Sequence, residues 1–229
     1  MELHQALTTT GAVREFTDEP VTDGQIRAIL DVARFAPSGG NRQAWRTVVV
    51  KDPELRRRLR DLYLVGWYEY LAMAAAGLVP WAPLTDRTAE AEAVTMAAAM
   101  RPADGNPGGM AEQLDRVPAL ILLLADLRRL AAVDRDLDRY TMVGGASIYP
   151  FAWNILLAGR DQGLGGVVTT MLCRQEAAVL EAVGAPDGWA LAAAIALGHP
   201  AGTPASRLRR AAVDEFTSVD RFDGAPLGS

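Results

Sequence analysis

Two uninterrupted apolar segments constrain the fold of this chain more than any other feature. They span residues 117–125 and 189–197. Both are far shorter than the roughly 20 apolar residues with which a helix crosses a bilayer. A short apolar run without polar alternation is typical of a strand buried on both faces, so we expect two core strands here. Residues 45–50 are rich in β-branched and aromatic side chains and predict a third strand.

Helical periodicity accounts for much of the remaining chain. Thr22 and Gln25 have capping-box spacing, and apolar residues then recur at helical period, which predicts a helix from about residue 23 to residue 35. A longer helix is expected over residues 53–76. A further helix should begin near Pro150, because proline is tolerated in the first turn of a helix. This helix has few charged residues, which predicts that it is buried on most sides.

The composition predicts a single domain and excludes several classes of binding partner. The chain has 229 residues, of which 50% are hydrophobic, so it can bury a full core and form a single domain over residues 1–229. The net charge is −5. We therefore expect no nucleic-acid partner and no anionic membrane surface, because either would need clustered positive charge. Lys51 is the only lysine, so an anion would be bound by arginine or by backbone N–H groups.

Cysteine and histidine are scarce. Cys173 is the only cysteine, which excludes an intramolecular disulfide and a multi-cysteine metal site, and His4 and His199 leave little for a zinc cluster. We expect no metal. The first residues lack a basic segment followed by an apolar one, and no apolar run is long enough to span a bilayer. These features predict a cytoplasmic protein without a membrane partner.

The stretch from Ala36 to Arg46 is the first candidate binding site. It contains a glycine-rich turn and two amide side chains, in the order Pro37, Ser38, Gly39, Gly40, Asn41, Arg42, Gln43. Glycine permits a sharp turn, and each amide can donate and accept hydrogen bonds, as a ring edge with alternating C=O and N–H groups requires. The alternative is an ordinary loop between a helix and a strand, with polar residues facing water.

This stretch and residues 13–21 together resemble the FMN-dependent nitroreductase family. The shared pattern is V-R-x-F-x-x-x-P-V, then one amphipathic helix, then A-P-S-x-x-N-x-Q-x-W. The resemblance implies an α+β nitroreductase-like fold, with a central mixed sheet flanked by helices, in an intertwined homodimer that binds FMN at the subunit interface. It also implies that Pro37, Ser38, Gly39, Asn41 and Gln43 contact the cofactor, with the two amides on the pyrimidine edge of the flavin.

The resemblance assigns further cofactor contacts outside this loop. The resemblance implies that Arg14 binds the FMN phosphate. It also implies that a backbone N–H of Gly165 or Gly166 faces the flavin N5. The sequence departs from the family at Thr10, Gly11 and Ala12, where family members usually carry an Arg-Arg-Ser-type triplet. We expect Arg209 and Arg210 to compensate for the missing cation. The alternatives are a surface basic turn for the arginine pair and a helix cap with a tight turn for the glycine segment.

The implied activity is hydride transfer from NADH or NADPH, through flavin N5, to an electron-poor acceptor such as a nitroaromatic or a quinone. No catalytic side chain is required, because the cofactor carries the chemistry. Two alternatives stay open. One is a different flavin reaction on the same fold, such as natural-product dehydrogenation, reductive dehalogenation or flavin fragmentation, and the other is a redox-silent binding dimer. Residues 77–112 are the expected variable lid, and residues 206–229 the expected C-terminal extension.

Overall fold

A computed structural model describes residues 2–102, 108–203 and 208–228. Its six α-helices are α1 (Leu3–Thr9), α2 (Asp23–Ala33), α3 (Pro53–Ala75), α4 (Arg87–Val94), α5 (Tyr149–Asp161) and α6 (Glu176–Ala182). Its four strands are β1 (Trp45–Val50), β2 (Ala119–Asp126), β3 (Gly165–Thr169) and β4 (Trp189–Gly198). The predicted α+β class is confirmed. No helix in the part of the chain so described is long and apolar enough to cross a membrane.

The four strands form one sheet in the order β1-β2-β4-β3, and each neighbouring pair is antiparallel. The expectation of a mixed sheet is therefore corrected for the described strands. The only parallel pairing among the described residues is an isolated bridge between Ala12 and Gly166. The sequence pattern did not predict strand direction, because a strand covered by helices on both faces is uniformly apolar in a parallel and in an antiparallel sheet.

The central strand β2 places alternate side chains in two hydrophobic clusters. Ile121 and Leu123 lie in a cluster with α2 and α5, whereas Leu120 and Leu122 lie in a cluster with α3 and α6. All four side chains are fully buried. Successive residues of a strand point to opposite faces, so the uninterrupted apolar run reflects a sheet between two helical layers.

Helix α5 packs on the sheet through Phe151 and Ile155, and Phe151 stacks on Trp45 with ring centroids 4.7 Å apart. The prediction of burial on most sides holds for these residues. The opposite side of α5 is open in a single chain, since Trp153 is 38% exposed and Tyr149 is 45% exposed. Partly exposed aromatic side chains are enriched at protein interaction surfaces.

The chain after α1 runs along the outer edge of β3. The Val13 N–H donates to the Gly166 carbonyl at 2.9 Å, and the Thr17 N–H donates to the His199 carbonyl at 2.8 Å. The C-terminal chain returns to the same region, where the Leu208 N–H donates to the Thr8 carbonyl at 3.0 Å. These contacts fix the position of residues 10–15 relative to β3 and to the end of α5.

Candidate functional site

A cavity of about 580 Å³ lies between the segment 10–15, the end of α5, the start of β3 and residues 200–203. This volume lies within the range of roughly 300–1,000 Å³ that is usual for small-molecule sites. Arg14 and Arg160 are the two cationic side chains among the described residues that line it. Glu15 is the one acidic residue among them, so the described lining keeps a net positive charge, which suits a ligand that carries an anionic group.

Sequence reasoning selected Arg14 but missed Arg160. Arg160 is half-buried in the last turn of α5, and its Nη1 donates to Thr10 Oγ1 at 3.3 Å. Thr10 is buried, and its hydroxyl donates in turn to the Ala6 carbonyl at 2.6 Å. The signal in the sequence was an arginine three residues before Gly163, in a chain with a single lysine. The 150 residues that separate Arg160 from Thr10 in the chain give no indication of this contact.

Gly165 and Gly166 both line the cavity, and packing explains why each is glycine. A Cβ on Gly165 would lie 2.6 Å from Val13 Cγ2, and a Cβ on Gly166 would lie 2.5 Å from the Ala196 carbonyl oxygen. The two glycines thus allow residues 12–13 and β4 to approach β3 closely. Their contact with a flavin N5 stays a prediction.

The amide-rich loop has a defined conformation. Gly40, Asn41 and Gln43 have positive φ angles of 60°, 52° and 48°, which are unusual for the two residues that carry a Cβ. The Gln43 N–H donates to Ser38 Oγ at 3.0 Å, and Gln43 Nε2 donates to Asn41 Oδ1 at 3.1 Å. The Gly39 N–H donates to Ser147 Oγ at 3.0 Å, which anchors the loop to the segment before α5. Asn41 and Gln43 are nevertheless exposed, so their amides remain accessible to a ligand.

The structure does not bring this loop to the cavity within one chain. Among the described residues that line the cavity, none belongs to the loop 37–43, so Pro37, Ser38, Gly39, Asn41 and Gln43 stand apart from Arg14, Gly165 and Gly166. The two predicted halves of the site are separate surfaces of the same protein.

Arg209 and Arg210 are exposed and neither lines the cavity, although the residue before them lies close to it. A Cβ on Gly11 would lie 3.1 Å from Leu208 Cδ2. The C-terminal chain therefore passes the cavity wall at Gly11, and the predicted phosphate role of the two arginines stays a prediction. Residues 204–207, which include part of the expected extension, lie outside the described residues, as do residues 103–107 of the expected lid.

Two polar side chains that do not line the cavity, Tyr63 and Cys173, pack with the hydrophobic core. Tyr63 is buried and its hydroxyl is 3.0 Å from Thr169 Oγ1 at the end of β3; burial raises the pKa of Tyr63, so it is neutral near pH 7. Burial also raises the pKa of the Cys173 thiol to about 11, and its Sγ donates to the Leu191 carbonyl at 3.1 Å. The described residues contain no cluster of three His, Cys, Asp or Glu that could bind a metal.

Comparison with known proteins shows similarity in both sequence and fold. The chain is 32% identical over 199 residues to an NADH dehydrogenase of Thermus thermophilus, an alignment that covers 86% of this chain and 87% of the relative. It is 28% identical over 218 residues to the rat iodotyrosine deiodinase 1, and this alignment covers 94% of this chain and 68% of the relative. The structure of the NADPH:FMN oxidoreductase of Vibrio harveyi, solved in complex with NAD+, superimposes on this chain with a TM-score of 0.64 at 20% identity. The superposition covers 96% of this chain and 77% of the other, so the two proteins share a fold.

A family model described as the Nitroreductase family matches residues 8–199. The matched region contains the four described strands, the amide-rich loop and the cavity residues from Thr10 to Gly166. With this match over most of its length, the chain belongs to the Nitroreductase family.

Proposed function

We propose that this protein is an FMN-dependent oxidoreductase that uses NADH or NADPH and reduces an electron-poor acceptor such as a nitroaromatic or a quinone. The observation that carries the proposal is the cavity of about 580 Å³ with Arg14 and Arg160 in its wall. Relatives named NADPH-flavin oxidoreductase, from Vibrio harveyi, and FMN reductase, from Bacillus subtilis, support the same assignment.

The residues present fit FMN. Guanidinium groups are suited to a phosphate monoester, because they donate paired hydrogen bonds and remain charged at all physiological pH values. Thr203 and Gly11 line the same cavity, and a threonine hydroxyl and a backbone without a Cβ would suit a sugar-like chain. Together these groups supply an anion site and a polar wall, and both are needed for a flavin mononucleotide.

A second copy of the chain would complete the site. The amide-rich loop 37–43 is preorganised and exposed but lies outside the cavity of its own chain. Helix α5 follows Ser147, to which this loop is bonded, and leaves Trp153 and Tyr149 partly uncovered. Association through this face would bury apolar surface. In the proposed homodimer, Asn41 and Gln43 of the partner subunit bind the flavin ring and Arg14 binds the phosphate side.

Bound FMN supplies the hydride chemistry. The protein holds the cofactor, orients it and limits access of water. Tyr63 is neutral and can donate or accept a hydrogen bond at the end of β3, next to Thr169. Because the cofactor carries the hydride, the proposal requires no histidine or carboxylate in a catalytic role.

Reductive dehalogenation is the second candidate reaction. The observation that favours it is the similarity to iodotyrosine deiodinase 1 of rat and mouse, each over 94% of this chain. Both reactions need the same cofactor and reductant, so they differ only in the acceptor.

The test is the visible spectrum of the purified protein under anaerobic conditions. We expect a flavin band that survives desalting and bleaches on addition of NADH or NADPH. Addition of a nitroaromatic, a quinone or an iodophenol should then restore the band, and the acceptor that restores it fastest identifies the reaction class. A colourless protein that takes up no FMN would refute the proposal. A flavin band that neither nicotinamide bleaches would indicate a redox-silent binding dimer.

A further inference from the structure

Arg160 has the features of a ligand-binding cation. Its guanidinium lines the cavity, is half-buried, and contacts Thr10 Oγ1 at 3.3 Å. Among the described residues it takes part in no ion pair, whereas many other arginines of the chain are paired with a carboxylate. A half-buried charge that is satisfied by one neutral hydroxyl retains most of its hydrogen-bonding capacity.

The position in the helix does not by itself explain this orientation. Arg160 is the basic residue in the last turn of α5, where a cation interacts favourably with the helix dipole. However, its side chain turns to the segment that follows α1, where the hydroxyl proton of Thr10 is used by the Ala6 carbonyl. A lone pair of Thr10 therefore faces the guanidinium and fixes it at the cavity wall.

The cavity needs such a cation if it binds an anion. The C-terminal end of a helix carries partial negative charge, which disfavours an anion beside it unless a positive group intervenes. The segment Thr10, Gly11, Ala12 supplies no charge, and Arg14 is the only other cation among the described lining residues. Arg160 is thus placed where α5 would otherwise repel a phosphate.

We propose that Arg160 binds the phosphate group of FMN together with Arg14, as the cation that makes up for the uncharged segment 10–12. The inference rests on the proposed function, because it names the group that holds the phosphate of that same cofactor. Thr10 acts as a positioning residue that orients the guanidinium.

The test compares FMN with riboflavin, which lacks the phosphate. Apoprotein of the wild type and of Arg160→Gln, Arg160→Lys and Arg57→Gln is titrated with each flavin, and quenching of flavin fluorescence gives the dissociation constants. Arg57→Gln is the matched control, because it removes the same charge from an exposed side chain of α3 outside the cavity. Thermal unfolding of each apoprotein verifies that the variants fold.

We expect Arg160→Gln to weaken FMN binding by about ten- to a hundredfold, the loss typical of a charge-assisted hydrogen bond, and to change riboflavin binding less than about twofold. Arg160→Lys should retain part of the preference for FMN, and Arg57→Gln should match the wild type. If Arg160→Gln binds FMN as tightly as the wild type does, or weakens FMN and riboflavin equally, the inference is wrong while the proposed function stands. A raised KM for NADPH with unchanged FMN affinity would assign Arg160 to the nucleotide phosphates and also refute it. Failure of the wild type to bind either flavin would instead refute the proposed function.

Discussion

Replacement of Gly166 by alanine tests the structural reason for glycine at the cavity wall. A Cβ at this position would lie 2.5 Å from the Ala196 carbonyl oxygen, 2.6 Å from Leu197 Cδ2 and 3.1 Å from Leu156 Cδ2. The leucine side chains can rotate away, but the carbonyl oxygen is part of the β3–β4 ladder, in which Gly166 pairs with Leu197. Relief of the contact therefore requires displacement of one strand from its neighbour.

The expected cost follows from that displacement. Insertion of a methyl group into a packed core usually costs about 1–3 kcal/mol, and contact with fixed backbone places Gly166→Ala near the upper end, at about 2–3 kcal/mol. For a chain of this length the melting temperature should fall by about 5–10 °C. Gly24→Ala in α2 is the matched control. The nearest atom to its Cβ is Thr22 Oγ1 at 3.8 Å, and alanine in an exposed helix position should raise the free energy of unfolding by about 0.5 kcal/mol.

Urea denaturation followed by circular dichroism measures both variants first without FMN, so that the packing effect is separated from any loss of cofactor, and then with FMN. The reasoning is refuted if Gly166→Ala unfolds at the same urea concentration as the wild type. It is also refuted if the variant loses stability only in the presence of FMN, because that result would place the ring, and not β4, against the missing Cβ.

Two further predictions concern residues outside the cavity. Because the pKa of Cys173 is raised to about 11, its thiolate fraction at pH 8 is about a thousandth. The native protein should therefore react with an aromatic disulfide reagent about a hundredfold more slowly than the unfolded protein does. Equal rates for the native and the unfolded protein would contradict the burial of the thiol. The rate should increase as the pH rises towards 11. Thr22→Ala removes the hydroxyl that accepts from the Gln25 N–H at 3.2 Å and should lower the free energy of unfolding by about 1 kcal/mol in urea denaturation, whereas Thr22→Ser should retain it.

The secondary structure was largely predictable because its signals are local. The strand predicted over residues 45–50 has those bounds, and α2 begins directly after Thr22, the N-cap of the predicted capping box. Strand direction was not predictable, since the pattern of β2 records burial on two faces and contains nothing about its neighbours. The sequence thus predicted which elements form, but not how they pair.

The candidate site was predictable where a motif carries it and not where the fold assembles it. Arg14 was found by resemblance and does line the cavity. Arg160 was missed because an arginine at the end of a helix is ordinary, and only the tertiary structure brings it to Thr10. The glycines at 165 and 166 were selected for contact with a ring, whereas the structure supplies a packing reason for both.

In the proposed homodimer, each flavin site combines the cavity of one chain with the loop 37–43 of the other chain. A heterodimer of two defective variants tests this arrangement most directly. Arg14→Ala and Asn41→Ala, each with a different affinity tag, should both bind FMN weakly as homodimers. In the purified heterodimer, one site carries both substitutions and the other carries neither.

Titration of that heterodimer with FMN should therefore show wild-type affinity at one site per dimer and weak binding at the other. Sites built within single chains would each carry one substitution, and no site would recover. A heterodimer without any wild-type site, or a wild-type protein that binds FMN as a monomer, would contradict the account.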